Sequence, residues 1–176
     1  MSDARLVATS SQTVGPFFHF CLTPDTVGRV LQPLAPRERI HLLVTVVDGD
    51  GRAVPDAVVE LWHSAGGSAA AFGRMATDRD GTCEFETVRP DCSADSTGAR
   101  HAAHINVCLF ARGLLRQLHT RIYFAADPAL DADPVLTLVP EERRVTLLAT
   151  PDDTQPSRWR FNLRLQGSNE TVFFDA

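Results

Sequence analysis

The stretch Arg158-Trp-Arg-Phe-Asn-Leu-Arg-Leu165 alternates without a break. Trp159, Phe161, Leu163 and Leu165 fall on one parity, and Arg158, Arg160, Asn162 and Arg164 on the other. Side chains along a strand point to opposite faces with a period of two. One apolar face and one charged face therefore describe a half-buried strand, the kind that lies over a core with its back to water.

Other segments read the same way. Ile40 to Val47 is a dense aliphatic run that ends in the turn Asp48-Gly-Asp-Gly51. Val58 to Trp62 is a short strand introduced by Val54-Pro55-Asp56. Asp78-Arg-Asp-Gly81 makes a second turn and launches Thr82 to Val88, where Cys83, Phe85 and Thr87 alternate with Glu84 and Glu86. His104 to Ala111 and Leu118 to Phe124 read as strands joined around Arg112-Gly113, and Arg144 to Ala149 as a further apolar strand. Helical periodicity is almost absent, with weak segments at 22–32 and 139–144. Ser64 to Ala71 and Pro90 to Arg100 read as surface loops. Many short strands with Asp-Gly turns predict an all-β fold: a β-sandwich of two mostly antiparallel sheets. An irregular N-terminal arm and short helical segments accompany it. Residues 1–38, broken by Pro16, Pro24, Pro33 and Pro36, form the arm, which packs against other subunits, and 39–176 form the sandwich.

The 176 residues fit one domain, and the formal net charge of −5 leaves no electrostatic footprint for nucleic acid. No apolar run approaches the roughly 20 residues that span a bilayer, and the N-terminus lacks a secretory h-region. A cytoplasmic protein with no membrane partner is expected. Cys21, Cys83, Cys92 and Cys108 form no Cys-x-x-Cys pair, which argues against a zinc ribbon and for free thiols used as small apolar fillers. Tyr123 and Trp62 read as core or interface aromatics.

Several segments resemble the intradiol ring-cleaving dioxygenases. They are Val47-Asp-Gly-Asp-Gly-Arg-Ala-Val-Pro-Asp-Ala-Val-Val-Glu-Leu-Trp62, Phe72-Gly-Arg74, Thr77-Asp-Arg-Asp-Gly81, Thr87-Val-Arg-Pro90, His104-Ile-Asn106 and Leu118-His-Thr-Arg-Ile-Tyr-Phe124. Ser11-Gln-Thr-Val-Gly-Pro-Phe-Phe18 resembles the N-terminal arm of the two-chain members, and Leu109-Phe-Ala-Arg-Gly113 and Glu170-Thr-Val-Phe-Phe-Asp175 resemble their α chain in particular. Catalytic members hold a ferric ion with two tyrosines and two histidines, the latter as His-x-His. Anionic oxygen ligands suit such a hard ion, and side chains at i and i+2 share a strand face roughly 6–7 Å apart.

This chain has one tyrosine, Tyr123, away from both ligand positions, and asparagine replaces the second histidine at His104-Ile-Asn106. The expectation is no catalytic residue and no metal bound by this chain, with His104 and Asn106 as degenerate ligand positions. His104 then reads as a strand histidine held by hydrogen bonds. His101, three residues earlier, falls on the opposite face if one strand spans both.

The resemblance further implies that Fe³⁺ sits in a homologous β subunit, and that the α chain lines part of the cleft above it. The lining positions are matched by Thr13, Gly15, Pro16 and Arg112, and the ligand at the shared cleft is a small aromatic acid. Gly15 permits close backbone approach, Pro16 stiffens the arm, Thr13 offers a hydroxyl, and Arg112 brings a permanent cation. Arg112 either concentrates an aromatic carboxylate or fixes the arm by hydrogen bonds. The aromatic ends, Phe17-Phe18-His-Phe20 and Phe173-Phe174, read as docking surfaces. The competing reading is a non-enzymatic, transthyretin-like sandwich that binds something else. A third, a self-sufficient dioxygenase with an unfamiliar ligand set, predicts iron in the purified chain.

Overall fold

The computed structural model describes residues 7–15, 17–23, 38–66, 69–95 and 97–175. Ten strands appear among them: β1 Arg39–Val47, β2 Val58–Gly66, β3 Ala69–Ala76, β4 Thr82–Val88, β5 Ser93–Ala94, β6 Arg100–His101, β7 His104–Phe110, β8 Leu118–Phe124, β9 Leu148–Asp152 and β10 Gln155–Arg164. Two short helices are α1, Phe18–Leu22, and α2, Glu141–Arg144. Hydrogen bonding runs β3-β2-β7-β8-β9-β10-β1-β4, while β5 and β6 form a separate hairpin. β1 lies parallel to β10 and β8 parallel to β9; the remaining pairs are antiparallel.

The long ribbon closes on itself as a sandwich. Ile40, Leu42, Val44 and Val46 of β1, Phe85 of β4, and Trp159, Phe161 and Leu163 of β10 share one core with Val59 and Leu61 of β2, Ile105, Val107 and Leu109 of β7, and Ile122 and Phe124 of β8. The sequence alternation decides which face turns inward: β1 is buried at every second residue, and β10 buries Trp159, Phe161 and Leu163 while Arg158, Arg160, Asn162 and Arg164 stay outside. Phe124 meets Trp159 edge-on with centroids 5.0 Å apart, and the Arg89 guanidinium lies 5.1 Å and 5.2 Å from the two ring centroids. His63 of β2 is buried; its Nδ1–H donates to the Ser64 carbonyl at 2.8 Å, so its Nε2 accepts from the Thr87 hydroxyl of β4 at 2.8 Å.

Three sequence readings need correction. Residues 144–149 are not one strand. Arg144 closes α2, Val145–Leu147 make a 3-10 turn, and β9 begins only at Leu148. Glu141 and Glu142 at the start of α2, with Arg143 and Arg144 at its end, complement the partial charges of a helical turn. Arg144 also donates to the Val139 carbonyl at 2.9 Å. Of the stretch Ser64 to Ala71, the described residues 64–66 and 69–71 are strand and not loop, because β2 runs on to Gly66 and pairs with β3. Small side chains there gave no pattern, and the neighbouring strand decided the conformation. Pro90 to Arg100 contains β5, and β6 follows it, closed by Asp95, whose carboxylate accepts from Thr97 and Ala99 N–H at 2.8 Å and 3.1 Å. The helical segment expected at 22–32 lies, beyond Leu22 and Thr23, outside the described residues. The one at 139–144 is represented by α2.

Candidate functional site

On β7, Ile105, Val107 and Leu109 enter the core, so His104 and Asn106 fall together on the opposite face. The register sets Asn106 between Trp62 of β2 and Arg121 of β8, and His104 opposite Tyr123. Asn106 Nδ2 reaches the Trp62 carbonyl at 3.4 Å. His104 Nδ1 faces the Ala102 carbonyl at 2.8 Å, so this nitrogen carries the proton. Burial, reinforced by the nearby Arg121 cation, lowers the His104 pKa against the pull of that hydrogen bond, and the ring stays neutral at pH 7.

The one tyrosine is fully buried beside it. Tyr123 Oη donates to Asp133 Oδ1 at 3.0 Å. Burial raises the phenol well above its ordinary value, so it keeps its proton at neutral pH. Asp133, itself fully buried, also accepts from the backbone N–H groups of Leu136, Val135 and Ala102 at 2.8 Å, 2.9 Å and 2.9 Å. Burial alone would raise this carboxyl. The donors of Leu136, Tyr123, Ala102 and Val135 outweigh burial and hold it below the usual carboxylate range.

His101 does not sit where the sequence spacing placed it. Its ring stands 5.8 Å from that of His104, edge-on, with Nδ1 3.6 Å from Asp133 Oδ2. Residues at i and i+3 fall on opposite faces only within one continuous strand. The chain leaves β6 at His101 and enters β7 at His104, and the break rotates the two rings onto the same side. Among the described residues no group of three or more His, Cys, Asp and Glu side chains is placed to hold a metal. The donors at this position are a neutral imidazole, a carboxamide and a protonated phenol. The nearby Asp133 carboxylate is already taken up by Tyr123 and three backbone N–H groups, so this set offers no free anionic oxygen and fits a ferric ion poorly.

A second cluster lies at the turn between β7 and β8. Gly113, in the left-handed region at φ 92°, donates its N–H to Thr13 Oγ1 at 2.7 Å. That bond ties the N-terminal arm to the turn across 100 residues of sequence. Arg112, one residue earlier, pairs through Nη2 with Asp56 Oδ2 at 3.0 Å. Gly15 is exposed, and a Cβ there would meet nothing within 4 Å. Pro16 lies outside the described residues. A cavity of about 140 Å³ opens beside this junction, with Gln12 and Val14 of the arm on one side and Phe110, Ala111, Leu114 and Leu115 on the other. The structure thus brings Thr13 and Arg112 to one turn and leaves His104 and Asn106 on a different surface, the outer face of β7.

Sequence reading passed over Asp56 and Asp133. Asp56 follows proline and has φ 64°, the pattern of a type II turn, which Pro55-Asp56 signals by itself. Asp133 carries no local signal, because its partners come from β8, the β6–β7 junction and its own turn.

The chain matches the family model described as Dioxygenase over residues 15–167. It belongs to the intradiol dioxygenase family. The protocatechuate 3,4-dioxygenase alpha chain of Burkholderia cepacia is 40% identical across 97% of this chain and 98% of its own length. The alpha chain of the same name from Pseudomonas putida is 38% identical across 97% of each. The protocatechuate 3,4-dioxygenase beta chain of Burkholderia cepacia is 28% identical, covering 97% of this chain and 81% of its own. Among solved structures, hydroxyquinol 1,2-dioxygenase from Pseudomonas putida superposes with a TM-score of 0.65, at 20% identity, over 91% of this chain and 68% of that one. This intradiol dioxygenase chain therefore shares the β-sandwich of its family. Among its described residues no helix is long and apolar enough to cross a membrane.

Proposed function

We propose that this chain is the α subunit of a protocatechuate 3,4-dioxygenase, pairing with a homologous β subunit that holds Fe³⁺. Together they insert both atoms of O₂ between the hydroxylated carbons of 3,4-dihydroxybenzoate and release 3-carboxy-cis,cis-muconate. One observation carries the reading: near end-to-end similarity to alpha chains coincides with a ligand position occupied by neutral donors. The iron supplies the oxygen chemistry from the β subunit. This chain supplies walls and charge.

In this reading residues 1–38 serve as the packing arm and 39–176 as the sandwich. Thr13, Gly15, Pro16 and Arg112 line the shared cleft. Arg112 is a permanent cation on an exposed turn, and a small aromatic acid is an anion at neutral pH. Attraction between them raises the local concentration of substrate and orients its carboxylate. Gly15 carries no side chain and lets substrate pass close to the backbone. The Thr13–Gly113 hydrogen bond holds arm and turn in one register.

Phe17 and Phe20 support a docking role for the arm. Their rings stack 6.2 Å apart and are 71% and 67% exposed. Phe173 and Phe174 are half-buried: Phe173 packs against the main core and Phe174 against a second cluster, and Phe174 N–H donates to the His119 carbonyl and pins this segment to β8.

The test is expression of the chain alone and beside its β-type neighbour. The isolated chain should bind far less than one iron per chain and cleave no catechol ring; the pair should do both. Stoichiometric iron in the isolated chain, by metal analysis, would defeat the proposal. Iron in the pair with no ring cleavage would favour the interaction-module reading.

A further inference from the structure

We infer that Asp56 is a positioning residue that aims the Arg112 guanidinium at the shared cleft, an inference that rests on the reading of Arg112 given above. Asp56 and Arg112 belong to different turns: one precedes β2, the other follows β7, and β2 and β7 are hydrogen-bonded neighbours. Their strands bring Val58 opposite Phe110, so the two turns emerge at one end of the sheet. There the carboxylate meets the guanidinium at 3.0 Å, through Nη2 alone. The other N–H groups of the guanidinium stay available to a second anion, and a planar carboxylate fits that fork.

Two features make the arrangement directional. Asp56 is held at φ 64°, a backbone region that restricts where its carboxylate points. Gly113 is fixed from the other side by Thr13 Oγ1 at 2.7 Å. Arg112 is thus anchored at its backbone neighbour and at its tip. An arginine side chain with 52% of its surface exposed would otherwise sample many rotamers. Holding it in one lowers the entropy lost when a substrate carboxylate binds. Asp56 acts through Arg112 and needs no contact with substrate.

The experiment compares Asp56→Asn, Arg112→Ala and the double variant in the assembled complex, with 3,4-dihydroxybenzoate and with catechol, which lacks the carboxylate. Asparagine tolerates the left-handed backbone, so Asp56→Asn removes the charge and keeps the turn. Size and iron content matching the parent confirm assembly. Expected for Asp56→Asn is a KM for 3,4-dihydroxybenzoate raised about threefold, within the range of an ion pair of this exposure, with a smaller change in kcat. KM for catechol should stay put, Asp56→Glu should recover part of the loss, and the double variant should match Arg112→Ala. If Arg112→Ala moves KM and Asp56→Asn does not, the ion pair is incidental and this inference fails alone. If Arg112→Ala is also silent, the reading of Arg112 fails with it. A lower KM in Asp56→Asn would mean that Asp56 competes with substrate, and equal losses with catechol would mean a general structural defect; either overturns the positioning role.

Discussion

Asp133 shows how much one residue can hold. Its carboxylate satisfies three backbone N–H groups and the Tyr123 hydroxyl, all in a place closed to water. Removing it leaves those donors buried without acceptors. Asp133→Ala should therefore cost about 3–5 kcal/mol, as breaking a buried charge network does, and a thermal melt against the parent checks it. The sign of the pH dependence follows from the direction of the shift. A carboxylate held below its ordinary value contributes stability that is complete above that value and lost as pH falls through the lower, folded one. Asp95, stabilised first by the Thr97 hydroxyl, and Asp152, stabilised first by the Thr154 hydroxyl, are both pushed down to about 2 and work in the same direction. The chain should lose stability from about pH 4 downward, and Asp133→Ala should flatten that loss. An unchanged acid limb in the variant would remove Asp133 from the account. Cysteines divide at this scale too: Cys83 and Cys108 are buried fillers, with burial raising Cys108 to about 11, whereas Cys21 and Cys92 are exposed.

At the scale of elements, turns decide register and the strands follow. The Asp78–Gly81 turn is an example. Asp78 Oδ1 accepts from Asp80 and Thr82 N–H, each at 2.9 Å. Gly81 closes the turn at φ 71°, where a Cβ would stand 2.6 Å from the Val46 carbonyl oxygen. Backbone conformation and space both exclude a side chain. Gly81→Ala should cost about 2–3 kcal/mol, a Tm drop of roughly 5–10 °C for a chain of this size. A melt within 2 °C of the parent, an about half-kcal/mol change on the same scale, would show that the turn accommodates a Cβ and that neither φ nor space at Gly81 matters. The strands with strong alternation, β1, β4 and β10, were legible because each has one wet face and one dry face. β3 was not: Ala69 to Ala76 is mostly small residues, and only pairing with β2 made it a strand. The strand expected over 144–149 lost its first four residues to helical turns, in which Val145 is 67% exposed and Leu147 turns inward onto the second cluster.

For the whole molecule, the outer face of β7, with His104 and Asn106, and the β7–β8 turn, with Arg112 and Gly113, are separate surfaces. Asn106→His would restore the His-x-His spacing of the catalytic members, yet the neighbouring phenol stays protonated on Asp133 and no second tyrosine exists in the chain. The variant should bind no more iron than the parent by metal analysis. Stoichiometric ferric iron after this single change would overturn the ligand argument. What the sequence determined by itself was local: an all-β chain, a core of alternating apolar residues, a family resemblance and a single phenol. Each is a property of residue identity and spacing along one strand. What only the tertiary structure decided was which distant residues meet. The joining of Asp56 to Arg112, of Thr13 to Gly113, and of Tyr123 and His101 to Asp133 depends on how strands pair and where the chain breaks between them. Those contacts carry no local pattern, because their energy is realised only after the sheets have closed.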